Sequence, residues 1–244
     1  MNLLTQNCDV YHKIVYFCRM KPECKLCTIK SRAAEKLKDE EIERLSFNCT
    51  MVKFKKGDPI IKQGVFSTNV AYLRNGLAKV HITGPYHEQL VRIVKPPTYL
   101  GLPTTFGDKI NQYSVTAIES AEVCFIDINT FRFLLKSNTD FTYEIMMELC
   151  RTELEVFYRC ANRTQKQMRG KIADVILEFS DKIFHSDTII MPLTQEEIGN
   201  LVDVSRESVS RVLAEFESDG IISIHGKKIE IRNKEMLKII STKG

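Results

Sequence analysis

The sequence has no run of apolar residues long enough to cross a lipid bilayer. A membrane-spanning helix needs about 20 consecutive apolar residues, and a secretory signal peptide needs a continuous apolar segment close to the N-terminus. Asp9, His12 and Lys13 interrupt the N-terminal segment of this chain. We therefore expect neither feature, and we predict a cytoplasmic protein without a membrane partner.

Patterns typical of enzymes are also scarce. No glycine-rich segment opens a predicted helix as a phosphate-binding loop does, and the five histidines have no serine, cysteine or aspartate partner suited to nucleophilic catalysis. Cys24 and Cys27 leave one alternative, a dithiol redox enzyme, but such a site needs a strand-helix-strand setting. Because a charged, helix-like stretch over residues 30–45 follows the pair, we predict a protein that is not an enzyme.

The chain also lacks a strong charge of one sign, since its net charge is +4 over 244 residues. Bulk charge therefore does not identify a nucleic-acid-binding protein, and any phosphate-binding charge must be local. Residues 159–171 and the pair Lys227 and Lys228 are such local clusters. The length exceeds that of a typical single domain, so we expect two domains.

Residues 193–222 have the pattern of two short helices joined by a tight turn. Thr194 and Glu197 form a capping box, which predicts a helix start near Gln195. The apolar pattern of this first helix breaks after Val202, and Ser205 is a suitable N-cap for a second helix. This arrangement predicts a helix-turn-helix.

The second helix has a polar surface that is suited to reading DNA bases. Its predicted buried residues are Val209, Val212, Leu213 and Phe216. Guanidinium, carboxylate and hydroxyl groups on the other face can pair with guanine, with cytosine or with either base. With the capping residues included, the candidate DNA-binding residues are Thr194, Ser205, Arg206, Glu207, Ser208, Ser210 and Arg211. Residues 221–231 then predict a β-hairpin wing. The alternative for the polar residues of the second helix is that they form an ordinary solvated surface of an amphipathic helix.

Residues 51–128 consist of short alternating segments separated by glycine-containing turns, which predicts an all-β unit. Asn75 and Gly76 lie between residues 70–73 and 77–82. This dipeptide is a strong signal for a two-residue hairpin, so we expect the two flanking strands to pair directly.

Residues 140–168 have the pattern of a long helix with a heptad repeat. The repeat consists of Tyr143, Met147, Cys150, Leu154, Phe157, Ala161, Thr164 and Met168. A second apolar line through Ile145, Leu149 and Val156 can pack against the β unit, which leaves the heptad face for a second copy. We predict a homodimer, whose two-fold symmetry predicts a palindromic operator with half-sites about one helical turn apart.

Residues 195–199 and 205–211 resemble the DNA-binding domain of the CRP/FNR family of bacterial transcription regulators. The resemblance covers most of the chain and implies an α+β fold with a cyclic-nucleotide-binding-like β-roll, a long dimerisation helix and a C-terminal winged helix-turn-helix. It also implies double-stranded DNA and RNA polymerase as partners. The expected parts are a cysteine-containing extension and helix (1–48), a β-roll sensor domain (49–139), a dimerisation helix (140–168) and a DNA-binding domain (169–244).

Two features depart from the family pattern. Asp203 occupies a position in the inter-helix turn where the family usually has glycine, and aspartate tolerates the left-handed backbone conformation better than most residues. In the β-roll, residues 100–103 and 113–115 lack the residues that hold a cyclic phosphate, above all an arginine. We therefore expect that cAMP is not the effector. A β-roll adaptor that binds another ligand without acting on DNA is an alternative.

The eight cysteines are the main clue to what the chain senses. Cys18, Cys24 and Cys27 lie close together, and such a group in a reducing compartment indicates metal or redox chemistry more than a structural disulfide. The family resemblance implies an oxygen-labile four-iron four-sulfur cluster bound by these three residues and Cys124. Zinc, a dithiol switch and the absence of a metal are alternatives. The cysteines expected to be small core residues are Cys49, Cys150 and Cys160.

Overall fold

The computed structural model describes residues 24–244, so the prediction for Cys18 concerns a residue outside the described part of the chain. Before the first strand, the chain forms two short 3-10 turns, Cys24–Leu26 and Ala34–Lys36, and helix α1 (Asp39–Phe47). The backbone amide of Cys24 donates a hydrogen bond to the Ser46 hydroxyl at 3.0 Å. This bond fastens the first turn to α1.

The β-roll follows as two antiparallel four-stranded sheets, with strand orders β1-β8-β3-β6 and β2-β7-β4-β5. Its elements are β1 (Cys49–Phe54), β2 (Pro59–Ile61), β3 (Asn69–Asn75), β4 (Ala78–Thr83), β5 (Glu88–Val94), β6 (Thr98–Leu100), α2 (Leu102–Phe106), β7 (Ser114–Ala117), β8 (Ala121–Asp127) and α3 (Ile128–Ser137). Apolar side chains from both sheets, among them Leu73, Val80 and Val123, form one core cluster. The β unit predicted from the sequence is therefore present, and the short helix α2 within it was not predicted.

The turn at Asn75 and Gly76 does not close a hairpin, so that prediction is wrong. β3 pairs with β6 and β8, whereas β4 pairs with β5 and β7, and the turn carries the chain from one sheet to the other. Gly76 has a φ of 81°, and a Cβ atom at this position would lie 2.3 Å from the Ser120 carbonyl oxygen. The glycine is needed for a close crossing beside β8.

Helix α4 (Thr139–Gln165) follows α3 after a single capping residue. The side-chain oxygen of Asn138 accepts a hydrogen bond from the Phe141 amide at 2.9 Å, which satisfies an amide at the start of α4. Lys166 has an extended backbone and Met168 begins the next helix, so α4 ends three residues before the predicted end.

One face of α4 is apolar and exposed. Tyr143, Leu154 and Phe157, which belong to the predicted heptad repeat, are 56%, 55% and 62% exposed in the single chain. Side chains of this size are seldom left in water without a partner when they form a continuous line along a helix. The face is therefore available to a second copy of the chain.

The face of α4 that meets the β-roll is more polar than predicted. Ile145 is buried as expected, but Leu149 and Val156 are exposed, so the prediction that all three pack against the roll is wrong. Glu148 instead faces the roll, and its carboxylate accepts a hydrogen bond from the Tyr99 amide at 3.0 Å. Hydrogen bonds and ion pairs thus replace apolar packing beyond the first turns of α4.

The C-terminal part contains α5 (Met168–Leu177) with a π-helical extension (Glu178–Phe184), β9 (Thr188–Ile190), α6 (Gln195–Val202), α7 (Arg206–Ser218), β10 (Ile222–His225), β11 (Lys228–Ile231) and α8 (Lys234–Lys243). Its core is continuous with the roll, because Leu90 and Ile93 of β5 join the same cluster as Ile198 and Phe216. Within residues 24–244, no helix has both the length and the apolar character that crossing a membrane requires.

Candidate nucleic-acid interface

Helix α6 begins with the predicted capping box. Thr194 Oγ1 accepts a hydrogen bond from the Glu197 amide at 3.1 Å, and the Glu197 carboxylate accepts one from the Thr194 amide at 2.8 Å. These bonds satisfy two amides that a helix start leaves without intrahelical partners. Ile198, Leu201 and Val202 are buried, as the sequence predicts.

Two residues allow the tight turn between α6 and α7. Asp203 has φ 59° and ψ 56°, so the left-handed conformation expected at this position is adopted by aspartate in place of the family's glycine. Gly199 lies beneath the turn, where a Cβ atom would be 2.5 Å from the Val204 carbonyl oxygen. The turn packs closely on α6 because residue 199 has no side chain.

Helix α7 has one buried and one exposed face. Ser205 caps it by accepting a hydrogen bond from the Ser208 amide at 3.2 Å. The predicted core residues Val209, Val212, Leu213 and Phe216 are all buried. The exposed residues near the helix start are Arg206, Glu207, Ser210 and Arg211. At about 100° per residue, these four side chains fall within an arc of about 140°, so they form one polar surface.

The charged groups on this surface are available to a partner. Arg211 Nε lies 4.0 Å from a Glu215 carboxylate oxygen, but the Arg211 side chain is 61% exposed, so this ion pair is weak. The other Glu215 oxygen accepts a hydrogen bond from Arg169 at 2.7 Å. Hydrogen bonds from the Glu207 backbone amide and from the Ser205 hydroxyl lower the pKa of the Glu207 carboxyl group. Its ionised carboxylate can therefore accept a hydrogen bond from a base at neutral pH.

The predicted wing is the hairpin of β10 and β11. His225 pairs with Lys228 across a two-residue turn, and Gly226 in this turn has a φ of 62°. A positive φ is what tight hairpin turns require. Lys227 and Lys228 are exposed at the tip, where their ammonium groups can contact phosphates.

The structure divides the candidate DNA-binding residues into two groups. One is the exposed face of α7, formed by Arg206, Glu207, Ser210 and Arg211. The other consists of hydroxyls at the helix starts: Thr194 caps α6, Ser205 caps α7, and the half-buried Ser208 accepts a hydrogen bond from the Ser205 hydroxyl at 3.1 Å. These three side chains position the motif, and their contact with DNA stays a prediction.

A contact that sequence patterns do not reveal joins the helix-turn-helix to the β-roll. Lys79 on β4 places its Nζ 2.9 Å from the Glu197 carboxylate and 3.4 Å from that of Glu88. Burial lowers the pKa of Lys79, but the two carboxylates outweigh this effect and raise it overall, so the side chain is charged. The Gln89 side chain also donates to the Asn200 carbonyl. Lys79 and Glu197 are 118 residues apart in sequence, so no local pattern indicates this pairing.

In the segment that would hold a cyclic phosphate, a backbone amide already has a partner within the chain. The Gly101 amide donates a hydrogen bond to the Tyr113 hydroxyl at 3.1 Å, and the adjacent Leu102 is 3% exposed. Burial raises the pKa of Tyr113, which keeps its hydroxyl neutral. Arg92, whose charge acts on Tyr113, lies 3.9 Å from Glu155 of α4. Residues 100–103 and 113–115 themselves contain no cationic side chain for an anion.

Four cysteines line one cavity of about 50 Å³, together with Tyr72 and Arg74. The cysteines are Cys24, Cys27, Cys49 and Cys124. A hydrogen bond from the Cys49 thiol lowers the pKa of Cys24 to about 6, an effect that outweighs the opposing influence of burial. Contacts with Cys124 and Cys24 raise the pKa of Cys49, which keeps its proton.

The predictions for individual cysteines have different outcomes. Cys24, Cys27 and Cys124 meet at one cavity, whereas Cys18 lies outside the described residues. Cys49 is buried as expected, but the sequence gives no sign of its contacts with Cys24 and Cys124. The remaining two predictions are wrong, because Cys150 and Cys160 are exposed on α4, where the helix turns them away from the roll.

The predicted four-iron four-sulfur site includes Cys18, which lies outside the described residues, so the structure does not test it. Across residues 24–244, no three histidine, cysteine, aspartate or glutamate side chains are arranged to hold a metal ion. A cavity of about 50 Å³ has room for one or two water molecules. A cluster at this site would need Cys18 in addition to the described thiols.

Comparisons with known proteins extend to most of the chain. Residues 51–138 match a cyclic nucleotide-binding domain and residues 170–240 match a Crp-like helix-turn-helix domain. The chain is 26% identical over 198 residues to the cAMP-activated global transcriptional regulator CRP of Salmonella typhimurium, which covers 79% of this chain and 94% of that protein. It is 26% identical over 184 residues to the transcriptional activator protein FnrA of Stutzerimonas stutzeri, with coverages of 72% and 74%.

The fold is also that of known structures. The structure of FixK2 from Bradyrhizobium japonicum superimposes with a TM-score of 0.72 at 16% identity and covers 79% of this chain and 96% of that one. The predicted fold class is thereby confirmed: a cyclic-nucleotide-binding β-roll precedes a C-terminal helix-turn-helix. Because both domain matches and the full-length relatives agree with the geometry of α6 and α7, the chain belongs to the CRP/FNR family of transcription regulators.

Proposed function

We propose that this regulator binds a palindromic operator as a homodimer and reads the bases with the exposed face of α7. The observation that carries the proposal is the composition of that face, where Arg206, Glu207, Ser210 and Arg211 are exposed opposite a fully apolar stripe. Side chains at the start of a recognition helix are those that reach base edges in the major groove. The wing lysines supply charge for the adjacent phosphates.

The dimer forms through the exposed apolar face of α4. Leu154 and Phe157 lie near the middle of the helix, and Tyr143 extends the same line toward its start. Two copies packed along this line bury the large apolar groups that the single chain leaves in water. The two α7 helices are then related by a two-fold axis, as a palindromic site requires.

The test of this function is the dependence of affinity on half-site spacing. We expect the protein to select an inverted repeat from a randomised duplex library, with half-site centres about one helical turn apart. Insertion of about 5 base pairs between the half-sites moves them to opposite faces of the duplex, so the affinity should fall to that of a single half-site. Fluorescence anisotropy at one fixed salt concentration measures both. Equal affinity for all spacings would contradict a rigid dimer.

The effector of this chain differs from cAMP. The Gly101 amide, in the segment where a phosphate would lie, already donates to the Tyr113 hydroxyl. An arginine that pairs with a phosphate through two hydrogen bonds is difficult to replace, and residues 113–115 do not supply one. The β-roll would thus act as a scaffold that couples another signal to α4.

The signal is oxygen or another oxidant, sensed at the cysteines beside β1. Cys24, Cys27 and Cys124 share a cavity, and Arg74 and Lys30 line it, so cations are present to balance thiolate charge. An iron–sulfur cluster bound by these residues and Cys18 is the family-based form of this proposal, and zinc or a dithiol are its alternatives. The active regulator would in turn contact RNA polymerase.

The cofactor is identified by anaerobic purification followed by a visible absorption spectrum and assays for iron and sulfide. A four-iron four-sulfur cluster gives a coloured protein with iron and sulfide in equal amounts, and exposure to air should bleach it. A Cys124→Ala variant should lose the colour, whereas Cys160→Ala, outside the site, should retain it. A colourless, iron-free protein with full operator affinity would rule out the cluster and leave thiol chemistry.

A further inference from the structure

Cys49 is the residue at which the thiol site differs from the ligand set expected of an iron–sulfur regulator. Its side chain lines the same cavity as those of Cys24 and Cys124. We propose that Cys24 and Cys49 are a redox pair that forms a reversible disulfide on reaction with a hydroperoxide. The cross-link itself is independent of the proposed function, and only its effect on DNA binding rests on that function.

The backbone around the three thiols favours Cys24 over Cys124 as the partner of Cys49. In the β1–β8 ladder Cys49 is opposite Ile126 and Cys124 is opposite Met51, so the two cysteines are diagonal neighbours. Diagonal neighbours in a sheet lie about 7–8 Å apart. A disulfide usually joins Cα atoms within about 6.8 Å, so this pair would require the sheet to deform.

Cys24 has no such restriction. It begins a short 3-10 turn outside both sheets, and its amide is held by the Ser46 hydroxyl at 3.0 Å, three residues before Cys49. This bond keeps the Cys24 side chain beside Cys49 while leaving the turn free to adjust. Cys27 is less suited, because its thiol donates to the Ile29 carbonyl at 3.4 Å.

The exposure of the three thiols indicates which of them reacts first with a peroxide. Cys49 and Cys124 are 5% and 6% exposed, whereas Cys24 is only partly buried. A small peroxide therefore reaches Cys24 first. Arg74 and Lys30 line the same cavity and can stabilise the negative charge that leaves with the peroxide oxygen.

The chemistry balances with one hydroperoxide per disulfide. The Cys24 sulfur attacks one peroxide oxygen, the O–O bond breaks, and a sulfenic acid forms as the other oxygen leaves and takes up a proton. The Cys49 sulfur then attacks the Cys24 sulfur, the S–O bond breaks, and hydroxide leaves as water with the Cys49 proton. Two thiols are oxidised by two electrons, and hydrogen peroxide is reduced to two water molecules.

The core beneath the pair connects it to the dimerisation helix. Cys49 belongs to the same buried cluster as Phe131, Phe141 and Ile145, and the last two are in the first turns of α4. Tyr99 lies in this cluster and its amide is held by Glu148 of α4. A cross-link that draws Cys49 toward Cys24 therefore acts on packing that supports α4.

The test is to map the disulfide in the full-length protein. Anaerobically reduced, metal-free protein is treated with a small excess of hydrogen peroxide, free thiols are alkylated, and peptides are analysed by mass spectrometry without reduction. We expect a peptide pair joining Cys24 to Cys49, which a dithiol reductant separates. Cys24→Ser and Cys49→Ser should each abolish it, and Cys160→Ser, on the exposed side of α4, should not. The half-exposed Cys24 variant provides the test if Cys49→Ser fails to fold.

Other linkages overturn the inference. A Cys24–Cys27 or Cys49–Cys124 disulfide, a link to Cys18 or between two chains, or Cys49 alkylated in full after oxidation would each show that Cys49 is not the partner. Operator affinity of the same samples separates the two proposals. With the cross-link, affinity should change about tenfold or more, within the range of allosteric coupling. An unchanged affinity with the cross-link present would contradict redox regulation, and a changed affinity without it would contradict the pair.

Discussion

Replacement of Arg211 by alanine should reduce operator affinity by roughly 1–3 kcal/mol per half-site, which is about 2–6 kcal/mol for a dimer that uses the residue twice. Arg211 is exposed beside Ser210 on the polar face of α7, and its pairing with Glu215 at 4.0 Å is too weak to retain it. Its guanidinium can therefore form two hydrogen bonds with a guanine. Fluorescence anisotropy titrations of operator and random duplexes at the same salt concentration measure the loss.

The comparison between the two duplexes distinguishes base recognition from phosphate binding. Arg211→Ala should weaken operator binding far more than binding to random DNA. Lys227→Ala at the wing should weaken both alike and reduce the salt slope by about 2, which is about 1 for each subunit of the dimer. Arg132→Ala removes the same type of charge from α3 in the β-roll and should leave both affinities unchanged. If Arg211→Ala lowered the affinity for both duplexes equally, Arg211 would contact a phosphate and not a base.

Introduction of a charge into the apolar face of α4 should separate the dimer. Phe157 is 62% exposed in the single chain, and burial of a phenylalanine side chain stabilises an interface by about 1.5–3 kcal/mol for each copy. Phe157→Glu removes this contribution and places two carboxylates at a desolvated seam, which adds a cost for burying unpaired charge. Sedimentation equilibrium should show a monomer at concentrations where the wild type is a dimer, with loss of operator binding.

The matched control is Phe66→Glu. Phe66 is 72% exposed in the β-roll, outside α4, so the same substitution should leave the chain dimeric. If Phe157→Glu remained a dimer with unchanged affinity, the second copy would have to bind another surface. Circular dichroism of both variants establishes that any loss is not caused by unfolding.

The parts of the fold that sequence predicts best depend on neighbouring residues. The capping box of Thr194 and Glu197 involves positions three apart, and the structure contains both of its hydrogen bonds. The apolar stripe of α7 follows from helical spacing alone, and all four of its residues are buried. The left-handed conformation of Asp203 was also predictable, because few residues adopt it at low cost.

The predictions that failed concern residues far apart in sequence. Asn75 and Gly76 have the composition of a hairpin turn, but the position of Ser120 beside Gly76 determines which strands pair. Leu149 and Val156 have the spacing of a buried line, yet polar partners such as Tyr99 and Arg92 place Glu148 and Glu155 toward the roll instead. Such contacts depend on tertiary structure and leave no periodic pattern.

The cysteine site shows the same limit. The spacing of Cys24 and Cys27 indicates thiol chemistry. Cys124, in contrast, follows Cys49 by 75 residues, and only the antiparallel ladder of β1 and β8 brings the two together. Because no other cysteine lies near Cys49 in the sequence, it was predicted to be only a small core residue. Its contact with Cys24 arises because α1 folds back and places Ser46 against the first turn.

A double-mutant cycle with modified DNA determines whether Arg211 contacts a guanine in the major groove. The guanine of each half-site is replaced by 7-deazaguanine, which lacks the N7 acceptor, and wild-type protein and Arg211→Ala are titrated against both duplexes. We predict that the modification costs the wild type about 1 kcal/mol or more per half-site and costs the variant almost nothing. An equal cost for both proteins at every guanine of the operator would show that Arg211 does not contact a guanine N7.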